Sequence, residues 1–329
     1  MKYFSLILVS IVVLVSACQS KKKEAELLEL SKPAWLKERP KSPDYYYGIG
    51  ITPKTGYAAH YEDKAKERAL SDLSKQINTQ IKSETSFYKM EDNHGVHEYI
   101  QSRIKATSSE FLEGYEYLDK WEDMNYMYAF YRLSKSEFYK RKELRKNEAL
   151  ELAYLKLKQA QKHDSEESII TALELYASSI DALSGYLNEE ASIVDGGVKI
   201  DLFSEAKNGL VNIVQELELK CSHTEYEVVS DQNLEKGVFS YTTVRNNNNI
   251  ANVPVSFTFS GGYLTSDKTN SDASGHCQSP SLKMNGQNQT LVASIDLVSI
   301  ARQTTKNLFV RQLIKNSRAN TCTVRITSK

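Results

Sequence analysis

From Ser134 to Pro254 no proline interrupts the chain, and inside that window apolar residues return on helical spacings. Proline removes a backbone donor and ends or kinks a helix, so the window admits helices of full length. Ser134, Lys135, Ser136 and Glu137 have the spacing of a capping box, in which a hydroxyl and a carboxylate satisfy each other's orphan N–H groups. Leu150, Ala153, Tyr154, Leu157 and Ala160 make one stripe, and Asp164 to Glu167 offer a second cap. Ile169, Leu173, Tyr176, Ile180, Leu183 and Leu187 step alternately by four and three; beyond Asp195, Gly196 and Gly197 the same stepping returns at Phe203, Ala206, Leu210, Ile213 and Leu217. Three helices with one seam each predict an antiparallel helical bundle over residues 135–220.

On both sides of the window the period changes. Pro33, Pro40 and Pro43 keep the chain extended, and Tyr45 to Ile51 has the aromatic and β-branched content of a strand. From Tyr61, Ala65, Ala69, Leu73, Ile77 and Ile81 recur every fourth residue, with Lys64, Lys66, Glu67, Arg68 and Asp72 on the opposite side of an amphipathic helix. Residues 114–121 and 126–133 alternate aromatic with polar residues about Glu122 to Asn125, as a hairpin does, while 96–111 reads equally as helix or strand. Residues 33–134 are thus expected to form a small α+β domain with a helix packed on a sheet. After Cys221, Val253, Val255, Phe257 and Phe259 alternate with polar residues, as do Leu291, Ala293, Ile295 and Leu297, and Cys322, Val324 and Ile326. Turns at Asn246 to Asn249 and Asp272 to Gly275 separate short strands, which predicts a β-sandwich over 221–329. Leu308, Phe309, Leu313 and Ile314 fit a short helix before the last strand. The fold class expected is α+β and multidomain, and 20 Tyr and 10 Phe among 329 residues suffice for several cores.

The start of the chain is an address. Met1 and Lys2 precede an apolar run from Tyr3 to Val15, too short for a spanning helix, so residues 1–17 read as a signal peptide. Leu14, Val15, Ser16, Ala17 and Cys18 resemble a bacterial lipoprotein signal. That resemblance implies cleavage before Cys18, a diacylglycerol on its thiol and an acyl chain such as palmitate on the new amine, enough for a stable anchor. Gln19 after the cysteine resembles outer-membrane sorting, and residues 18–32, with Lys21, Lys22 and Lys23, read as a tether. The expected location is the cell outer membrane, facing the periplasm or the surface.

Two further resemblances follow. Pro33, Ala34 and Trp35, then Tyr47, Gly48, Ile49 and Gly50, the alanine-rich helix with Ala65, Ala69, Leu73 and Ile77, then Leu112, Glu113, Gly114 and Trp121 resemble the LPP-type (twenty-kilodalton) bacterial lipoproteins over about a third of the chain. That family implies an envelope location and no catalytic residue. Asn252 to Phe257, Thr269 and Asp272 to Gly275 look like the bacterial Ig-like domains of surface proteins. In Ig-like topologies the first and last strands commonly run side by side, which implies Cys221–Cys322 among the three pairings open to Cys221, Cys277 and Cys322.

Lys and Arg number 42, as do Asp and Glu; removing Lys2 with the leader leaves 41 against 42. Nucleic-acid binding through bulk charge is therefore not expected, because it needs a cation excess to displace counterions. The six histidines are scattered, and the one close pair, His94 and His97, has no cysteine beside it, so no metal centre is expected. Gly48 and Gly50 lack the third glycine of a dinucleotide site, no metalloprotease or phosphate-loop motif occurs, and no cofactor is expected. Ser204 and Lys207 match the S-x-x-K spacing without its companion motifs. Tyr115, Tyr117, Tyr126, Tyr128 and Tyr131 read in two ways: a stacking platform for sugars or a peptide, or ordinary strand aromatics with one face on a helix and one wet. The function expected is a lipid-anchored, non-enzymatic binding or scaffolding module with an envelope protein or glycan as partner. The alternative is a cell-wall hydrolase or an accessory activator of a cell-wall enzyme.

Overall fold

A computed structural model describes residues 27–84, 102–103, 106, 112–187, 189–229, 233–285 and 288–328. The leader 1–17, Cys18, most of the tether, His94, His97 and nearly all of 96–111 lie outside the described residues. The described residues up to 84 together with 112–143 form one compact unit, and those from 144 onward belong to a second.

In the first unit, a short helix α1 (Ala34–Lys37) precedes strand β1 (Tyr45–Pro53), helix α2 (Ala58–Glu84) and strands β2 (Glu116–Glu122) and β3 (Tyr126–Ser134). The sheet runs β1-β3-β2, antiparallel throughout, from Tyr45 opposite Ser134 to Pro53 opposite Tyr126. The alanine stripe of α2 explains its seat: Ala65, Ala69 and Leu73 are fully buried. Their small size lets the helix lie directly over β1, where a Cβ on Gly48 or Gly50 would collide with the Ala69 and Ala65 carbonyls. Tyr46, Met127, Ala129, Tyr131 and Leu133 alternate onto the same face and complete this core. Helix α3 (Lys135–Ser165) starts at the capping box, with the Glu137 N–H donating to Ser134 Oγ at 3.4 Å. Its first turn sinks Phe138 edge-on against Tyr46, ring centroids 5.9 Å apart.

The second unit contains the rest of α3, then α4 (Ile169–Ala182), the hairpin β4 (Ser192–Asp195) and β5 (Val198–Asp201), and α5 (Leu202–Glu216). Helices α3 and α4 approach closely enough for Ser179 Oγ to donate to the Ala153 carbonyl at 2.8 Å. Gly209 on α5 leaves room for the Tyr176 ring of α4. The second predicted cap is not formed where the sequence puts it. Helix α3 runs to Ser165, α4 takes Ser168 as its N-cap, and Asp164 instead holds buried Arg245.

Strands β6 (Glu218–Cys221), β7 (Glu225–Val228), β8 (Ser240–Arg245), β9 (Asn248–Asn249), β10 (Pro254–Phe259), β11 (Gly262–Leu264), β12 (Lys268–Asn270), β13 (His276–Gln278), β14 (Leu282–Met284), β15 (Asn288–Ile295) and β16 (Thr321–Ser328) follow. One sheet has the order β12-β10-β15-β16-β7, a second β13-β8-β6 with β9 on β8, and β11 pairs with β14. All pairs are antiparallel except β16 with β7. The two larger sheets meet through their inward rings, Tyr241 of β8 lying 5.5 Å from Phe257 of β10. Strand β15 stops at Ile295, two residues short of the alternation read from the sequence. Asp296 caps a helix there, accepting from the Ser299 N–H, so that Leu297 is buried on α6 (Leu297–Thr304) and α7 (Leu308–Asn316) follows. A single apolar core runs from Leu150, Leu173 and Leu210 on the helices to Phe257, Leu291 and Val324 on the strands. The boundary expected at 220/221 thus falls inside one compact unit: α5 and β6 are consecutive, and both bury residues in that core.

Candidate functional site

The three-stranded sheet has one face under α2 and a second turned the other way. Alternation along β1 and β3 sends Tyr45, Tyr47, Ile49, Ile51, Phe130, Arg132, Tyr128 and Tyr126 to this outer face, and a register shift between Tyr117 and Asp119 sets Trp121 of β2 opposite Tyr128. Trp35 of α1 stacks on Phe130 at 4.8 Å with ring planes 7° apart, and its Nε1 donates to Asp119 Oδ2 at 2.8 Å. Tyr47 stacks on Phe130 at 5.5 Å and lies 6.4 Å from Tyr45. Trp121, Tyr128 and Tyr126 continue the row at 5.3 Å and 6.5 Å. Arg132 covers the Tyr45 ring at 4.4 Å while ion-pairing with Glu116. Trp35 and Phe130 are buried; Tyr45, Tyr47, Trp121 and Tyr128 are half-buried, and Tyr126 is exposed. Burial, then the Asp123 carboxylate 3.4 Å from its hydroxyl, pushes the Tyr128 phenol up, so it stays a neutral donor at ordinary pH.

The five tyrosines divide between the two faces, as the reading with one face on the helix and one wet has it, and do not form one platform. Tyr126 and Tyr128 lie on the outer face. Tyr131 faces α2 and is buried, with Tyr115 and Tyr117 each 5.6 Å from its ring and the Lys66 ammonium 5.4 Å from the Tyr115 ring. The physical reason is the two-residue period of a strand: Tyr128 and Tyr131 are an odd number of residues apart on β3 and must point oppositely. Trp35, Tyr45, Tyr47 and Trp121 were missed as members of the face; parity along β1 and the hairpin is the signal that finds Tyr45, Tyr47 and Trp121, while Trp35 on α1 leaves no such signal.

Beside this face, β1 is an edge strand, and α2 caps it. Residues 68, 72 and 76, one turn apart, reach the outward backbone of β1: Arg68 donates to the Ile51 carbonyl, Asp72 accepts from the Ile49 N–H at 3.0 Å, and Gln76 donates to the Tyr47 carbonyl at 2.6 Å. The end of this edge opens into a cleft of about 480 Å³ lined by Arg39, Lys41, Lys75 and Lys135 with Tyr45, Tyr47 and Asp72 among others.

Cys18 lies outside the described residues. Cys221 and Cys322 are joined as a disulfide with Cα atoms 6.1 Å apart, and Cys277 is free and buried, its thiol pushed up to about 11 by burial. Four histidines are described on separate elements: His60 beside Tyr57, His163 near Glu166, His223 bonded to Ser222 and His276 bonded to Thr242. Among the described residues no group of three His, Cys, Asp or Glu is placed to hold a metal, and no helix is long and apolar enough to cross a membrane. The Ser204 N–H is engaged by Asp201 as the α5 cap.

No family model matches the chain, and no curated protein matches it. Among solved structures, the D00-D0 domain of intimin aligns at 22% identity and TM-score 0.19, over 23% of this chain and 37% of that one. The D0-D1 domain of intimin aligns at 17% identity and TM-score 0.20, over 25% and 43%. The C-terminal 282-residue fragment of intimin, in complex with the intimin-binding domain of the translocated intimin receptor, aligns at 16% and TM-score 0.21, over 33% and 32%. This chain thus spans less than half the length of each, and at such TM-scores the likeness carries no functional argument.

Proposed function

We propose that this chain is a non-enzymatic binding module of the bacterial envelope, tethered to the outer membrane through a lipid on Cys18, and that the outer sheet face takes the sugar rings of an envelope glycan. The observation that carries the reading is the row of half-buried rings at Tyr45, Tyr47, Trp121 and Tyr128, set on either side of the buried Trp35–Phe130 stack. Aromatic area on a sheet offers apolar contact to sugar faces at little entropic cost. The lipoprotein-type leader supports the location, and the Cys221–Cys322 staple with alternating strands supports an Ig-like scaffold in the second unit. A cell-wall hydrolase calls for two carboxylates converging in a cleft; the cleft beside β1 is lined by one, Asp72, already paired with Arg39.

Two variants test the two halves of the proposal. Cys18→Ala should move the protein out of the membrane fraction, and Trp121→Ala combined with Tyr128→Ala should abolish co-sedimentation with purified peptidoglycan sacculi while the far-ultraviolet circular dichroism is kept. Membrane retention of the first in high salt refutes the anchor; unchanged co-sedimentation of the folded second refutes the face.

A further inference from the structure

The cleft at the end of the β1 edge has a charge that the fold does not use. Four cations line it, Arg39, Lys41, Lys75 and Lys135, against the single carboxylate of Asp72. Asp72 is spent: it pairs with Arg39 and accepts the Ile49 N–H at 3.0 Å. The Lys135 ammonium is held over the cleft by the Ser42 carbonyl at 3.0 Å and the Tyr46 ring at 5.1 Å. Lys41 and Lys75 are exposed, and no hydrogen bond or ion pair among the described residues engages either ammonium group; the Lys75 carbonyl accepts from Thr79 Oγ1 at 2.8 Å. Three uncompensated positive charges around a concave site focus the field there and draw an anion out of solvent. The volume of about 480 Å³ lies within the size of ordinary small-ligand sites. Tyr45 and Tyr47 belong both to the cleft and to the aromatic face, so the two surfaces are continuous.

We infer that this cleft is an oxyanion subsite, taking the carboxylate or phosphate of a ligand whose sugar ring lies on Tyr45 and Tyr47. Lys41 and Lys75 supply the free charges, Lys135 is the preset donor, and Arg39 is the positioning residue that keeps Asp72 from neutralising them. The inference rests on the sugar-binding reading for its ring and on the cleft alone for its anion.

The test uses the full mature chain and two probes: N-acetylmuramic acid, and N-acetylglucosamine, which lacks the 3-O-lactyl ether that carries the carboxylate. Inorganic phosphate is the third probe. At low salt the carboxylated sugar should bind about tenfold more tightly than the neutral one, since each charge-assisted contact is worth about that factor. The advantage should disappear in Lys41→Ala combined with Lys75→Ala, and in wild type on raising the salt. Equal affinity for the two sugars overturns the subsite and leaves the aromatic face standing. Phosphate bound by wild type and lost in the double variant, with neither sugar bound, upholds the anion site and overturns the sugar reading. Anion affinity unchanged in the double variant, or no binding of any probe, overturns the subsite.

Discussion

At the scale of single residues, Gly48 and Gly50, which lack the third glycine of a dinucleotide site, have another use. Their role is steric: each lies under a helix carbonyl that has no room to retreat. Gly50→Ala should therefore destabilise the first unit by about 3 kcal/mol, the upper range for overpacking, whereas Gly196→Ala, in open space but at φ +58°, should cost about 1 kcal/mol. Urea titration of both variants checks the ranking, and equal midpoints would remove the close-approach explanation. Asp296 makes a second case. Burial pushes its carboxyl up, but hydrogen bonds from Lys268 at 2.6 Å and from Ser299 outweigh burial and hold it below the ordinary 3.8. A depressed folded value means the stabilisation is complete well above 3.8 and is lost as pH falls through the folded value. Asp296→Asn should consequently lower stability at neutral pH and flatten its fall on acidification below about pH 4. A variant whose acid profile is parallel to wild type would show that Asp296 is not linked to folding. The cap was legible, since Asp296 stands three residues before Ser299, yet the apolar alternation through Leu297 masked it.

Among elements, periodicity was the readable part and side-chain diversion the hidden part. The four-residue stripe of α2 could be read directly, because burial of Ala65, Ala69, Leu73 and Ile77 leaves a pattern. The use of Arg68, Asp72 and Gln76 to cap β1 left none, because a charged residue on a helix's polar side looks the same whether it faces water or an edge strand. Asp164 failed as a predicted cap for a related reason: Arg245, far away in sequence, competes for it and also binds Glu216 at 2.7 Å. These long-range pairs, with the shared apolar core, couple the helices of the second unit to its sheets. The Cys221–Cys322 bond closes a loop with a sequence separation of 101, worth up to about 4.7 kcal/mol in chain-entropy accounting. Reduction should lower the melting temperature, and the helical and strand signals of this unit should fall together. A helical signal that melts unchanged while the strands loosen would show instead that residues 144–217 and 218–328 fold independently.

For the whole molecule, location and chemistry are written in different places. The leader expected at residues 1–17 is a reading that needs no structure, because such a signal is recognised as a linear segment. The proposed face cannot be read so directly: its rings come from α1, β1, β2 and β3, and strand parity, the Asp119 register shift and the docking of Trp35 on Phe130 decide which of them meet. The chain's two tryptophans, Trp35 and Trp121, both lie on that face, one buried and one half-buried. Their fluorescence therefore reports on the proposed contact without a label. The most direct test titrates the mature protein with N-acetylglucosamine hexamer and follows tryptophan emission. The account predicts a saturable shift to shorter wavelength as a sugar ring covers Trp121, and its loss in Trp121→Phe with the Trp35 emission retained. An emission spectrum that stays constant while the protein binds the hexamer, or a shift that survives Trp121→Phe, would contradict it.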